Sequence, residues 1–317
     1  MKIDIHSHCY PLPYVRQLDR CGLLEDIRER TGISVKGPLT WDGAESRLRD
    51  MAAAQIDLEV LSVSAPGAFF SDKRMSLALA QICNDSLAEI CSAYPERFRA
   101  FITVPLTDVL GAIEELHRAR RLPGMVGVAL GSNIVGRPLD DPEFWPFYEE
   151  LDRLRLPAHI HPMEPVGMPL ARDFGLTRIL GFIFETCVAA SRLVLSGVRE
   201  KYPNFPIILS HLGGALPFIA NRIDSAPVLD TVVRQRLSQP PSGFFRQMYF
   251  DTALSYSEIS MNCGLDYLNA GQIILGTDFP FARASHAAVV TAIEALPWPE
   301  ETKEKIFYKN AAALLGL

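Results

Sequence analysis

MKIDIHSH, residues 1–8, alternates apolar and polar side chains and carries histidines at positions 6 and 8. A spacing of two is the strand period, and side chains two apart on a strand project to the same face, so His6 and His8 point the same way. The strand is expected over Ile3–His6. Seven further short runs, rich in β-branched and apolar residues, read as strands: Leu58–Ser64, Ala100–Pro105, Met125–Gly131, Pro157–His161, Pro206–His211, Met248–Thr252 and Gln272–Thr277. Stretches with helical spacing separate them, among them Ser71–Tyr94, with Ser71 as the expected N-cap and Pro95 just past its end, and Asp108–Ala119. Strand followed by helix, eight times over, predicts a (β/α)8 TIM barrel, one α/β domain over residues 1–317.

Two segments exceed the bare repeat. Residues 10–45, with Pro11, Pro13, Gly37, Pro38 and Gly43, precede the first recognisable helix, Ala44–Ala54, and are expected to form a small insertion after strand 1, over the barrel mouth. Residues 226–246, with Pro227, Pro240, Pro241 and Gly243, read as an exposed connection. The tail from Glu301 to Leu317 places Ile306, Ala311, Leu314 and Leu315 at helical spacing and is expected to dock on the barrel.

The 317 residues are 48% hydrophobic and 21% charged, ordinary for a globular chain, and the net charge of −6 supplies no basic face for nucleic acid or anionic membrane. No run approaches the ~18 apolar residues of a membrane span. The six cysteines are scattered, form no C-x-x-C pair, and fit reduced thiols in a cytoplasm. A small-molecule partner is the expectation.

The chemistry lies at the strand ends. His161 closes the fifth run, His211 the sixth, and Asp278 follows the eighth, so they reach the same end of a barrel as His6 and His8. Barrel enzymes carry their active sites at that end. Imidazoles with a carboxylate suit Zn2+ or another first-row divalent ion. Met125–Gly131 offers no bridging carboxylate or lysine for a second ion, which favours a single-metal site with room for water or substrate. His211 is either a further ligand or, the role that suits it better, the proton-transfer group beside the metal, with Asp278 as ligand and hydrogen-bond partner together.

MKIDIHSH, the His161-Pro162 pair, SHLGG (210–214), GTDFPF (276–281) and the closing KNAAALLGL resemble the amidohydrolase superfamily branch that contains aminocarboxymuconate-semialdehyde decarboxylase and γ-resorcylate decarboxylase. The resemblance spans nearly the whole chain. It implies one divalent metal, Zn2+ or Mn2+ with zinc expected first, held by His6, His8, His161 and Asp278, with His211 at the acid/base position. It also implies that Arg47 meets a substrate carboxylate, that Arg222 is contributed by a neighbouring subunit, and hence a homodimer or homotetramer; the alternative for either arginine is to cap its own helix or to form a structural ion pair, with Asp50 or Asp224. Met163 stands where the aminocarboxymuconate branch has an aromatic residue, while Glu185 and His286 are closer to the resorcylate branch.

The implied reaction is non-oxidative decarboxylation of a small aromatic or unsaturated carboxylic acid. Metal-dependent hydrolysis or hydration is the alternative, and a barrel retained as a non-catalytic scaffold is a third reading; fold and ligands alone do not separate them. Glu185 is expected to orient a ligand or the loop bearing His161, with a helix salt bridge as the alternative; His159 is expected to serve as a core hydrogen bonder, with support of a metal ligand as the alternative; and His117 is expected to be a solvated surface residue. Pocket shape is expected to depend on loops near Trp41, Pro66–Phe70, Met163–Met168 and Arg283–Ser285.

Overall fold

The structure, a computed structural model, describes residues 1–31, 34, 40–41, 43–168, 171, 173–281 and 286–317. Eight strands make one parallel sheet in chain order: β1 (Ile3–His8), β2 (Leu58–Ser62), β3 (Phe98–Thr103), β4 (Met125–Gly131), β5 (Ala158–His161), β6 (Ile207–Leu209), β7 (Tyr249–Asp251) and β8 (Ile273–Ile274). Backbone bonds close the ring. Ile5 N donates to Leu275 O at 3.0 Å, Asp278 N to His6 O at 2.8 Å and His8 N to Phe279 O at 2.7 Å, which joins β8 and the segment after it to β1. A helix follows each strand: Glu45–Ala53, Lys73–Ala93, Val109–Ala119, Trp145–Leu154, Phe182–Leu195, Leu216–Ile223, Glu258–Tyr267 and His286–Glu294. The barrel expected from the strand-helix alternation is therefore present.

The lumen is layered. Ile3, Ile5, Leu58, Val60, Phe101, Ile208 and Ile274 fill its lower part, and Ala311 and Leu315 of the terminal helix (Asn310–Leu315) pack against them from below. Burying each larger apolar side chain of this kind is worth about 1.5–3 kcal/mol. Leu275 N also donates to Ile306 O at 2.9 Å, so the tail docks as expected, through backbone as well as side chains.

Plain alternation along β1 would set Ile3 and Ile5 on one face and His6 and His8 on the other. A β-bulge removes the conflict. Ile3 and Asp4 pair with Leu58 and Glu59, whereas Ser7 and His8 pair with Leu61 and Ser62, which leaves one extra residue in β1 between the two registers. Ile5 thus joins the apolar lumen while His6 and His8 crown it, and Asp4 and Ser7 turn outward. The strand runs two residues beyond the expected end at His6.

Other local expectations are corrected. The Lys73–Ala93 helix is capped by Asp72, not Ser71: Asp72 Oδ1 accepts from Arg74 N at 2.9 Å and Met75 N at 3.1 Å. The insertion after strand 1 has secondary structure of its own. It contains helices Leu12–Arg20 and Leu24–Thr31, and Tyr10–Pro11 pairs with Thr40–Trp41. Tyr14 Oη donates to Gly67 O at 2.7 Å, which ties the insertion to the loop after β2 at the barrel mouth. Gly37, Pro38 and Arg283–Ser285 lie outside the described residues. Residues 226–246 form three short helices, and the last, Pro241–Phe245, buries Phe244 and Phe245, so only part of that connection is exposed.

Candidate active site

The strand ends bring His6, His8, His161, His211 and Asp278 together, all buried. One ligand-capable atom from each of His6, His161, His211 and Asp278 lies within 4.8 Å of the others. His8 adjoins them: its Nε2 is 3.0 Å from His6 Nε2 and 3.1 Å from Asp278 Oδ1, which is itself 3.2 Å from His6 Nε2.

Outer contacts fix which ring nitrogens face inward. His6 Nδ1 is 2.8 Å from Asp251 Oδ2, His8 Nδ1 is 2.9 Å from Ser62 Oγ, and His161 Nδ1 is 3.0 Å from Pro162 O. With a proton on each Nδ1, the Nε2 lone pairs of His6 and His8 converge with a carboxylate oxygen on one point. Without positive charge that arrangement is repulsive, and a divalent cation satisfies it. Burial opposes charge on His6, but Asp251 and Asp278 outweigh it and hold its pKa up at about 10. Burial pushes His8 down to about 4, with the hydrogen bond to Asp278 offsetting only part. Burial would also raise Asp278, yet its bonds with His211, His6 and His8 hold it well below the ordinary carboxylate range.

Asp251 is the residue that sequence reasoning missed. Its Oδ2 accepts from both His6 and His159, the latter at 2.9 Å, and its Oδ1 accepts from His211 N at 2.9 Å and Ala253 N at 3.0 Å. A single buried carboxylate therefore sets the ring of His6 and the backbone of His211. His159 is a core hydrogen bonder, as expected, and its partner also holds His6 of the cluster. The available signal was an aspartate at the end of the seventh strand, the same place in its unit that the histidines occupy in theirs.

Two site residues have left-handed backbone, His211 at φ 56° and Asp278 at φ 58°. For a non-glycine residue that conformation costs roughly 1–3 kcal/mol and persists only where its surroundings enforce it. The bonds from His211 N to Asp251 and from Asp278 N to His6 O do so. The glycines of SHLGG complete the turn: a Cβ on Gly214 would lie 2.1 Å from Ile183 O, and one on Gly213 2.4 Å from the Phe250 ring.

Above the cluster opens a cavity of about 780 Å3, walled by Ile179, Phe182, Ile183, Leu254 and Phe281, with Ser64, Ser255, His161, His211, Asp278 and Arg178 as its main polar lining. The structure does not bring Arg47 there. Its Nε donates to Glu59 Oε2 at 2.6 Å, its Nη1 to His8 O at 2.8 Å and its Nη2 to Ser7 Oγ, behind β1. A buried guanidinium needs a counter-charge, and Glu59 supplies it in place of Asp50. His286 Nε2 lies 2.8 Å from the other oxygen of Glu59, and its ring stacks on Phe279 at 3.9 Å. Arg222 is exposed on the Leu216–Ile223 helix, and Asp224 is bonded to Ser242. Glu185 accepts from Asn133 Nδ2 at 2.7 Å and Val166 N at 3.1 Å, so it holds the loop that follows His161. His117 is half-exposed and pairs with Glu150 at 2.8 Å.

Residues 3–317 match the family described as Amidohydrolase. The chain belongs to the amidohydrolase family. Within it the chain is 28% identical to 2-amino-3-carboxymuconate-6-semialdehyde decarboxylase of Dictyostelium discoideum, covering 100% of this chain and 92% of that one. It is 32% identical to 6-methylsalicylic acid decarboxylase of Penicillium expansum, covering 96% and 93%. A dihydroxybenzoic acid decarboxylase from Polaromonas sp. JS666, solved with manganese and 2-nitroresorcinol bound, superposes with a TM-score of 0.83 at 27% identity over 100% of this chain and 97% of that one. A divalent metal in this amidohydrolase barrel is supported jointly by that relative and by the His/Asp cluster.

Proposed function

We propose that the protein is a metal-dependent, non-oxidative carboxy-lyase acting on a small aromatic or unsaturated carboxylic acid. The observation that carries this reading is the placement of His211 Nε2 3.7 Å from Asp278 Oδ2, at the floor of an apolar-walled cavity and beside the histidine cluster. The reaction exchanges a carboxylate for a proton: the C–C bond breaks, carbon dioxide leaves, and the carbon takes a proton. His6, His8, His161 and Asp278 hold the cation in this proposal. When bound, it supplies the positive charge that orients substrate oxygens and stabilises electron density developing on the substrate.

The chain's own groups do the rest. The His211–Asp278 pair delivers the proton to the carbon and is recharged from solvent through the cavity mouth. Phe182 and Phe281 offer flat apolar faces that suit a ring, and with Ile183 they exclude water. Zinc fits the nitrogen-rich donor set, and manganese is the ion named for the Polaromonas relative, so the metal is proposed as either of the two.

A homodimer with Arg222 reaching the partner's cavity belongs to the same proposal. Phe218, one helical turn before Arg222 and thus on the same face, is 84% exposed, and Ile259 is 85% exposed. The proposed compartment is a reducing cytoplasm, supported by six free cysteines; among the described residues no helix is long and apolar enough to cross a membrane.

The experiment is an assay of carbon dioxide release by metal-loaded protein from a panel of hydroxybenzoates and unsaturated acids in deuterated water. The reading predicts loss of carbon dioxide with deuterium at the vacated carbon. Ring-opened or hydrated products alone would replace it with the hydrolase or hydratase alternative.

A further inference from the structure

We infer that Arg178 forms a second anion subsite at the rim of the cavity, and that the substrate is an acid bearing a second anionic group. The inference rests on the carboxy-lyase reading for the identity of the first group. Among the described residues Arg178 is the only lysine or arginine that lines the cavity, and among them it makes no ion pair and no side-chain hydrogen bond. Arg47, which the family resemblance assigned to this task, is engaged behind β1 by Glu59 and Ser7. A cavity with its cation site at the floor, apolar walls between, and at its rim an uncommitted guanidinium from the same chain, in addition to the Arg222 proposed to enter from a partner, discriminates between acids with one and two negative ends. Guanidinium suits such a role because it stays charged and grips a carboxylate through two parallel bonds.

The turn that presents Arg178 is held in place on both sides. Thr177–Gly181 is wound as a π-helix, a local widening that recurs at functional sites. Thr177 Oγ1 donates to Ala171 O at 2.8 Å, which pins its beginning. At its end a Cβ on Gly181 would sit 2.7 Å from Pro165, so the absence of a side chain lets this turn pack on the loop that follows His161. Arg178 and the metal-facing His161 are thereby linked through one packed unit.

The test is calorimetric titration of metal-loaded, full-length protein with benzoate and with isophthalate at low salt, for wild type, Arg178→Ala and Arg178→Lys. Because the guanidinium is exposed, the expected preference of wild type for the dicarboxylate is modest, roughly tenfold, and it shrinks with added salt. Arg178→Ala should abolish the preference while leaving benzoate affinity and metal content unchanged, and Arg178→Lys should retain part of it. Equal binding of the two acids by wild type, no measurable binding of the dicarboxylate, or a preference that survives in Arg178→Ala overturns the inference. Binding is read without turnover, so failure of every acid to lose carbon dioxide would refute the carboxy-lyase reading while leaving this result to decide the role of Arg178.

Discussion

His6 Nδ1 lies 2.8 Å from Asp251 Oδ2, a buried bond that joins the first barrel strand to the seventh. It decides which nitrogen of His6 faces the other donors. The carboxylate that makes it also accepts from His159 and from the backbone of His211, so one side chain aligns the proposed metal ligand and the proposed acid/base residue.

Asp251→Asn should therefore weaken metal binding by roughly 10- to 100-fold without removing a ligand, because the amide accepts through one oxygen only and sets a donor against a second ring nitrogen. Competition with a chromophoric chelator measures this. An unchanged affinity would mean that His6 is oriented by packing alone.

His211→Asn should keep metal occupancy and lower kcat by ~10^2 or more, the ordinary contribution of a positioned acid/base group. Metal analysis alongside steady-state kinetics checks both halves. Loss of the ion in this variant would make His211 a ligand.

Arg222→Ala should raise KM. If Arg222 works across a subunit contact, mixing Arg222→Ala and His211→Asn chains and assaying at substrate well below the raised KM should restore part of the activity through hybrid dimers that contain one intact site. Native mass spectrometry establishes exchange, and no rescue after exchange would confine each site to a single chain.

Acid stability should depend on Glu59. Burial would raise its pKa, but Arg47 first and His286 next bring it from 4.5 down to about 2. A carboxylate depressed in the folded state stabilises it fully above the unfolded value, and that contribution is lost as pH falls from 4.5 toward 2. Glu59→Gln leaves Arg47 without its counter-charge, which should destabilise by about 3–5 kcal/mol at neutral pH and flatten the decline of Tm in acid. Parallel Tm curves for wild type and variant would contradict this account.

The barrel was legible because the strands read as short apolar runs, too brief for helices, and because they alternate with longer stretches of helical spacing. The ligand cluster was legible because histidines and an aspartate recur at one position in the repeat. The bulge in β1 was not: an extra residue leaves no mark on a six-residue alternation, and only the pairing with β2 reveals it. Arg47 lies on a helix whose motif fits substrate binding and burial equally well; which one holds depends on Glu59, twelve positions away, facing the same side of the sheet. Arg178 escaped notice because a lone arginine on an exposed turn resembles any solvated cation until the cavity beside it is seen.

The central claim is that His6, His8, His161 and Asp278 hold one divalent ion. Metal content per chain, measured on purified wild type and His161→Ala after identical loading and desalting, tests it most directly. The account predicts one ion per wild-type chain and a substoichiometric amount in the variant, with activity falling in step; a full complement of metal in an inactive His161→Ala protein would contradict it.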